Sequence, residues 1–192
     1  MEKRYQRLWR LCSRGLVSVL AAVTFVACDD SNGTTTDARV QQGLTIAPVQ
    51  LNMTGKDRNQ VGLGSYLVNA VSGCNDCHTF PNFAAGGNPF LGQPKHINTT
   101  NYLAGGRAFG PVCSRNITPD TTGRPAGMDL PTFLTVLRTG TDVDHPGQLL
   151  QVMPWPNYQN MTDDDVTAIY AYLSAIPTAQ PASGIPGGCV PE

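Results

Sequence analysis

The chain has 192 residues, 13 Lys+Arg against 14 Asp+Glu, 6 cysteines and 41% hydrophobic residues. That length suits one domain, or one domain with appendages. The near-balanced charge lacks the basic excess of a nucleic-acid-binding domain, and no Rossmann fingerprint, P-loop or nucleophile elbow occurs along the chain.

Lys3, Arg4, Arg7, Arg10 and Arg14 face one acid, Glu2, at the start, and an apolar run from Leu16 to Ala27 follows, broken by Ser18 and Thr24. A basic start followed by a short apolar core is an export signal. The run is shorter than the ~20 residues of a membrane-spanning helix, which makes an anchor helix the weaker reading. Phe25-Val26-Ala27-Cys28 resembles a bacterial lipoprotein cleavage site, with Phe25 standing where leucine is more usual. The resemblance implies that residues 1–27 are removed and Cys28 is lipidated; ordinary cleavage nearby is the alternative. Asp29 resembles the signal that retains some lipoproteins in the inner membrane, so the expected location is the cell envelope, lipid-anchored on the periplasmic face. More than one acyl chain on Cys28 makes such an anchor stable. Without the leader's five basic residues and Glu2, 8 Lys+Arg and 13 Asp+Glu remain, a formal charge of −5. That again argues against nucleic acid and leaves room for steering toward a partner with a basic docking face.

Residues 28–58 read as a flexible tether and lead-in. Asp29 to about Gln42 is polar and small, without the apolar residues of a core. Leu44 to Lys56 is ambiguous and receives no function. From Asn59 to Val71, Val61, Leu63, Tyr66, Leu67, Ala70 and Val71 recur at helical spacing. Gly62 and Gly64 weaken an isolated helix but permit close approach by another, and this helix is expected to pack across a C-terminal one. Gly73 frees the chain to turn.

Cys74-Asn75-Asp76-Cys77-His78 follows, a C-x-x-C-H motif, the attachment signal for c-type haem. Two thiols separated by two residues can each form a thioether with a haem vinyl group, and the next histidine then lies where a ring nitrogen reaches the iron. The competing readings are a zinc half-site and a redox dithiol. Zinc needs further ligands at similar spacing, and no second C-x-x-C or H-x-x-x-H follows. A redox pair opens a helix after a strand, whereas this approach is helical.

Thr79 to Val112 is rich in glycine and proline. So long an irregular stretch needs an organiser, and a haem would give Phe80, Phe83, Phe90, Tyr102 and Phe109 a surface to cover. His96 is expected to face solvent. Asp129 caps a helix whose apolar side is Phe133, Leu134 and Leu137, and Gly140 stops it. His145 lies in the loop Asp142 to Gly147. Leu149 to Pro156 is expected to be extended and stiff because Pro154 and Pro156 flank Trp155. Thr162 caps a last helix that opens on Asp163-Asp164-Asp165, acids suited to the positive end of the dipole. Val166, Ile169, Tyr170, Leu173 and Ile176 form its apolar face, and Pro177 ends it. Residues 178–192 read as a tail.

With Cys12 in the leader, Cys28 lipidated, and Cys74 and Cys77 on haem, Cys113 and Cys189 remain, an expected disulfide in an oxidising compartment. For the second axial position the candidates are Met53, Met128, Met153, Met161, His96 and His145. Met153 is favoured: it lies in the stiff segment just before a terminal helix that can return to the first. Met/His ligation raises the potential and leaves no coordination position open, a combination suited to electron transfer rather than catalysis.

Residues 59–177 resemble a class I cytochrome c domain: the first helix, Cys74–His78, the Met153-Pro154-Trp155 loop and the last helix with Tyr170 and Tyr172 stand in that family's order. Ala104-Gly105-Gly106, Phe109-Gly110 and Asn116-Ile117-Thr118-Pro119-Asp120 resemble the cytochrome c subunits of bacterial alcohol, gluconate and aldehyde dehydrogenases. Those subunits often carry several haems; with one C-x-x-C-H, this chain resembles one of their domains, freestanding. The resemblance implies an all-α fold around one covalently bound haem c with a long irregular middle insertion. It implies His78 and Met153 as axial ligands, Asn116 and Thr118 framing the haem edge, and Trp155 packing on it; Arg107 is a weaker candidate for a propionate partner. Cys113 and Cys189 fall outside the pattern. The function implied is a membrane-tethered electron carrier, not an enzyme, taking electrons from a dehydrogenase and passing them to an oxidase or another cytochrome. A haem enzyme or sensor with a labile sixth ligand, or a haem-containing assembly subunit, are the other readings.

Overall fold

The computed structural model describes residues 37–190. The expected leader and the lipidation at Cys28 lie outside the described residues. Helix α1 (Ala38–Ile46) is capped by Asp37, whose carboxylate accepts from Arg39 N, and buries Val40 and Gly43. The tether and lead-in expected over 28–58 therefore contains a packed helix. Polar composition pointed to a tether, but two small or branched residues suffice here because the neighbouring helix offers glycines.

That neighbour, α2 (Arg58–Tyr66), is capped by Asp57 and runs on into a π-helical turn, Leu67–Val71. A Cβ on Gly43 would lie 1.9 Å from the carbonyl oxygen of Gly62, and one on Gly64 would lie 1.8 Å from that of Ala168. Glycine thus sets the approach on both flanks of α2, with α1 on one and α6 (Asp163–Leu173) on the other. This is the packing expected between the first and last helices of the domain. Gly73 adopts φ +62° and turns the chain into α3 (Cys74–His78).

The middle of the chain is mostly irregular, as expected, with a 3-10 turn at Pro89–Leu91. Two short antiparallel strands, β1 (Ala108–Phe109) and β2 (Val112–Cys113), pair Ala108 with Cys113 and Phe109 with Val112. Among the described residues the fold is helical with one small two-stranded sheet. Helix α4 (Leu130–Thr139) is capped by Asp129 at Thr132 N and stops at Gly140, φ +68°. Helix α5 (Trp155–Tyr158) is a single turn inside the segment expected to be extended. Pro156 does not break it because a proline in the first turn removes only an N–H that has no helical partner. In α6, Thr162 and Asp165 form a reciprocal capping box.

The core joins α2, α4 and α6 with Tyr102 and Leu103 of the middle segment. Within it Tyr102 and Tyr172 are 2% and 0% exposed, so their hydroxyls must be satisfied internally. Tyr102 donates to Asn69 Oδ1 at 2.5 Å, and Asn69 Nδ2 donates to Tyr172 Oη at 3.1 Å. The 2.9 Å contact between the phenols must then be donated by Tyr172, closing a three-membered ring. Tyr102 is therefore a core pillar rather than a surface for a cofactor.

The expected tail is fastened along much of its length. Thr178 Oγ1 donates to Pro119 O at 2.7 Å, Asn101 Nδ2 to Gln180 O at 2.7 Å, and Cys189 N to Gly106 O at 3.0 Å. A disulfide joins Cys113 to Cys189.

Candidate functional site

Helix α3, the loop 109–117, helix α4 and the segment 141–154 surround a cavity of about 770 Å³. This is within the ~300–1,000 Å³ usual for cofactor sites. Cys74, Cys77 and His78 line it. So do Met153 and Met128, with Ile117, Phe133, Val136, Leu137 and Ile169 among the apolar walls.

His78 is set by its backbone and one hydrogen bond. Its Nδ1 lies 2.7 Å from the carbonyl oxygen of Arg115, so Nδ1 carries the hydrogen and donates. Nε2 then keeps its lone pair, the form a metal-ligating imidazole needs. Burial holds the imidazole pKa below its ordinary value, with the Arg115 carbonyl acting in the opposite sense, so the ring is neutral near pH 7. Burial pushes the Cys74 thiol up to about 12, and it raises Cys77 as well, with Asp76 adding to both. These are poor thiolates, unlike the acidic thiol of a redox dithiol. Among the described residues no group of three or more His, Cys, Asp or Glu side chains is placed to hold a metal ion.

Of the six candidates for a second ligand, Met153, Met128 and His145 line the cavity. Met53, Met161 and His96 do not; His96 is exposed, as expected. His145 Nδ1 sits 3.1 Å from Asp142 Oδ2. Met128 is 9% exposed and its carbonyl accepts from Tyr170 Oη at 3.0 Å. Met153 is carried on a segment held from both sides: Leu150 N donates to Gly140 O at 2.8 Å, and Trp155 N to Met153 O at 2.8 Å.

Three expected site residues stand elsewhere. Asn116 donates from Nδ2 to Ala179 O at 2.9 Å and accepts from Thr118 N and Oγ1, so both residues hold the tail; Ile117 between them lines the cavity. Thr118 is buried against the tail rather than in the cavity. Trp155 packs on Gly140, where an added Cβ would meet the indole ring at 2.3 Å, and donates from Nε1 to Leu150 O at 3.2 Å. It braces the Met153 segment from behind. Of the five aromatics expected to cover a haem, Phe109 lines this cavity. Phe80 lies under Arg107 at 5.1 Å, and Phe83 meets Phe90 edge-on at 6.2 Å.

Two cavity residues escaped the sequence reading. The acceptor for His78 is a main-chain carbonyl, for which no side-chain signal exists. Tyr158 lines the cavity and donates to Ser72 O at 3.0 Å; its place follows from the α5 turn, which two prolines disguised.

A helical domain in which a C-x-x-C-H helix and a methionine-bearing loop line one cavity has the arrangement expected from the sequence resemblance to a cytochrome c domain. The sequence comparisons agree. The chain is 33% identical over 130 residues to the fructose dehydrogenase cytochrome subunit of Gluconobacter japonicus, covering 66% of this chain and 23% of that one. It is 32% identical over 119 residues to the gluconate 2-dehydrogenase cytochrome c subunit of Pantoea cypripedii, covering 61% and 24%. It is 32% identical over 136 residues to the alcohol dehydrogenase (quinone) cytochrome c subunit of Gluconacetobacter polyoxogenes, covering 65% and 26%. The chain thus spans about a quarter of the length of these curated relatives. No protein-family model matches it.

Proposed function

We propose that this chain is a monohaem c-type cytochrome that carries electrons for a dehydrogenase. The observation that carries the reading is the shared cavity, in which Cys74, Cys77 and His78 meet Met153 among apolar walls. The residues fit the group. Cys74 and Cys77 would hold it as thioethers, and His78 and Met153 would be its axial ligands. Bound there, haem supplies a one-electron Fe(III)/Fe(II) couple. The Arg115 carbonyl keeps His78 in the tautomer that offers Nε2. Trp155 and the Gly140–Leu150 hydrogen bond fix the segment on which Met153 sits. The apolar walls of Ile117, Phe133, Val136, Leu137 and Ile169 would limit water around the bound group, which favours a small reorganisation.

Electrons would arrive from a periplasmic or membrane-bound dehydrogenase; the reading is supported by relatives named as cytochrome subunits of fructose, gluconate and alcohol dehydrogenases. They would leave to an oxidase or another cytochrome. Export and lipidation at Cys28 would hold the domain at the periplasmic face of the inner membrane.

Replacing Met153 by Ala tests the ligation. The weak far-red sulfur-to-iron band of the oxidised protein should vanish and the potential should fall. Retention of the band in that variant, with its loss in Met128→Leu, would reassign the ligand to Met128. Ready CO binding by the native reduced protein would instead favour a haem enzyme or sensor.

A further inference from the structure

Arg115 grips two sides of the cavity. Its carbonyl accepts from His78 Nδ1. Arg115 also lines the cavity, and its guanidinium donates from Nη2 to Ala126 O at 3.1 Å and pairs through Nη1 with Asp144. Asp144 belongs to a closed excursion, 141–149, drawn together by the Thr141–Leu149 bridge and by Asp142 N donating to Gln148 O at 3.1 Å. Leu150, bonded to Gly140 and to the Trp155 indole, follows it, and Met153 comes three residues later. Val143, Asp144, His145, Gln148 and Leu149 of this excursion all line the cavity, while Val143 and Leu149 are 37% and 50% exposed. Residues 143–149 are all exposed, so the excursion is a solvent-exposed flap that borders the cavity. The Arg115–Asp144 pair fastens it to the strand of chain that orients His78.

We propose that Arg115 is a positioning residue that couples the two axial ligands: its backbone orients His78 while its side chain, through Asp144, holds the flap that leads to Met153. This rests on the ligation proposed above. The side chains of the pair are 32% and 39% exposed, so the pair is partly screened by solvent. An ion pair of that kind shifts an equilibrium by about two- to fivefold. The equilibrium in question is Met153 ligation against displacement by an added ligand.

The test is imidazole titration of the oxidised full-length holoprotein. Arg115→Gln and Asp144→Asn both keep the backbone carbonyl that serves His78, and Asp144→Asn also leaves the Ala126 hydrogen bond in place. Each variant should bind imidazole about two- to fivefold more tightly than the native protein, and the double variant no more tightly than the Arg115→Gln single. Raising the ionic strength should bring the native protein toward the variants and move Arg115→Gln least, since Asp142 still faces the Arg115 charge in Asp144→Asn. Arg115→Lys, which restores a cation, should recover part of the native resistance. If the native protein shows the far-red sulfur band but the single variants bind imidazole as it does, or the two effects simply add, the coupling is overturned while Met153 ligation stands. If the native protein lacks that band, and Met153→Ala leaves its spectrum unchanged, both fall together.

Discussion

Gly64→Ala is the substitution that tests the packing of α2 most sharply, because two effects oppose each other. In an isolated helix the change gains about 1 kcal/mol from propensity. Here the new methyl carbon would stand 1.8 Å from Ala168 O, 2.5 Å from its carbonyl carbon and 2.8 Å from Tyr172 Cβ. Two of those atoms are backbone, which cannot rotate away. Restoring ordinary contact near 3.4 Å needs a separation of roughly 1.5 Å between α2 and α6. A gap of that size forfeits more than half of the dispersion energy of each contact across the seam, where Val61, Val68, Val166 and Tyr172 are all fully buried. Overpacking of this kind costs about 3 kcal/mol, so the net effect is about 2 kcal/mol of destabilisation. For a domain of this size that lowers the melting temperature by roughly 4–8 °C. Urea unfolding followed by circular dichroism reads it directly. A neutral or stabilised Gly64→Ala would show that α6 does not lie against α2 as described.

Other outcomes follow from the same structure. Burial raises the pKa of Tyr102 and Tyr172, and carries Tyr158 up to about 12. A raised phenol is neutral in the folded state, so its contribution is full below the unfolded value of about 10 and is lost as pH climbs through 10 toward the folded values. Ultraviolet difference spectra should therefore show three tyrosines that ionise only as the domain unfolds in alkali. Asn69→Ala removes the acceptor of Tyr102 and a donor to Tyr172, and leaving a buried hydroxyl unpaired should cost about 1–3 kcal/mol in urea unfolding. Adding Tyr102→Phe to that variant should recover part of the loss. Replacing Cys113 and Cys189 together by serine releases a cross-link spanning 76 residues and should cost about 2–4 kcal/mol, read as a lower denaturant midpoint. An unchanged midpoint would mean that the tail's hydrogen bonds alone secure it.

What the sequence disclosed depended on whether a signal was local. Asp57, Asp129 and Thr162 each cap a helix through their own side chains within three residues, and such signals survive without tertiary knowledge. The glycines of α2 announced a close approach, though on one flank only; the second partner, α1, carries too few apolar residues to be recognised alone. C-x-x-C-H was readable as a motif, but its orienting group is the Arg115 main chain, which any residue supplies. At 116–118 the cavity is lined by Ile117 and not by its neighbours, because the polar side chains of Asn116 and Thr118 bond to each other and to Ala179 O, which no pattern in the sequence announces. Pro154 and Pro156 pointed to extension, whereas the chain places Pro156 in the first turn of α5. Tyr102, one aromatic among five in an irregular stretch, went to the core because Asn69 and Tyr172 satisfy its hydroxyl there.

The central claim is that Cys74 and Cys77 hold a haem covalently in this cavity, and intact-mass analysis of the exported, denatured protein measures that directly. Covalent attachment predicts a chain heavier by one haem, with the added mass on the peptide containing Cys74-Asn75-Asp76-Cys77-His78 and neither thiol open to alkylation. A chain of unmodified mass in which Cys74 and Cys77 both alkylate would contradict it.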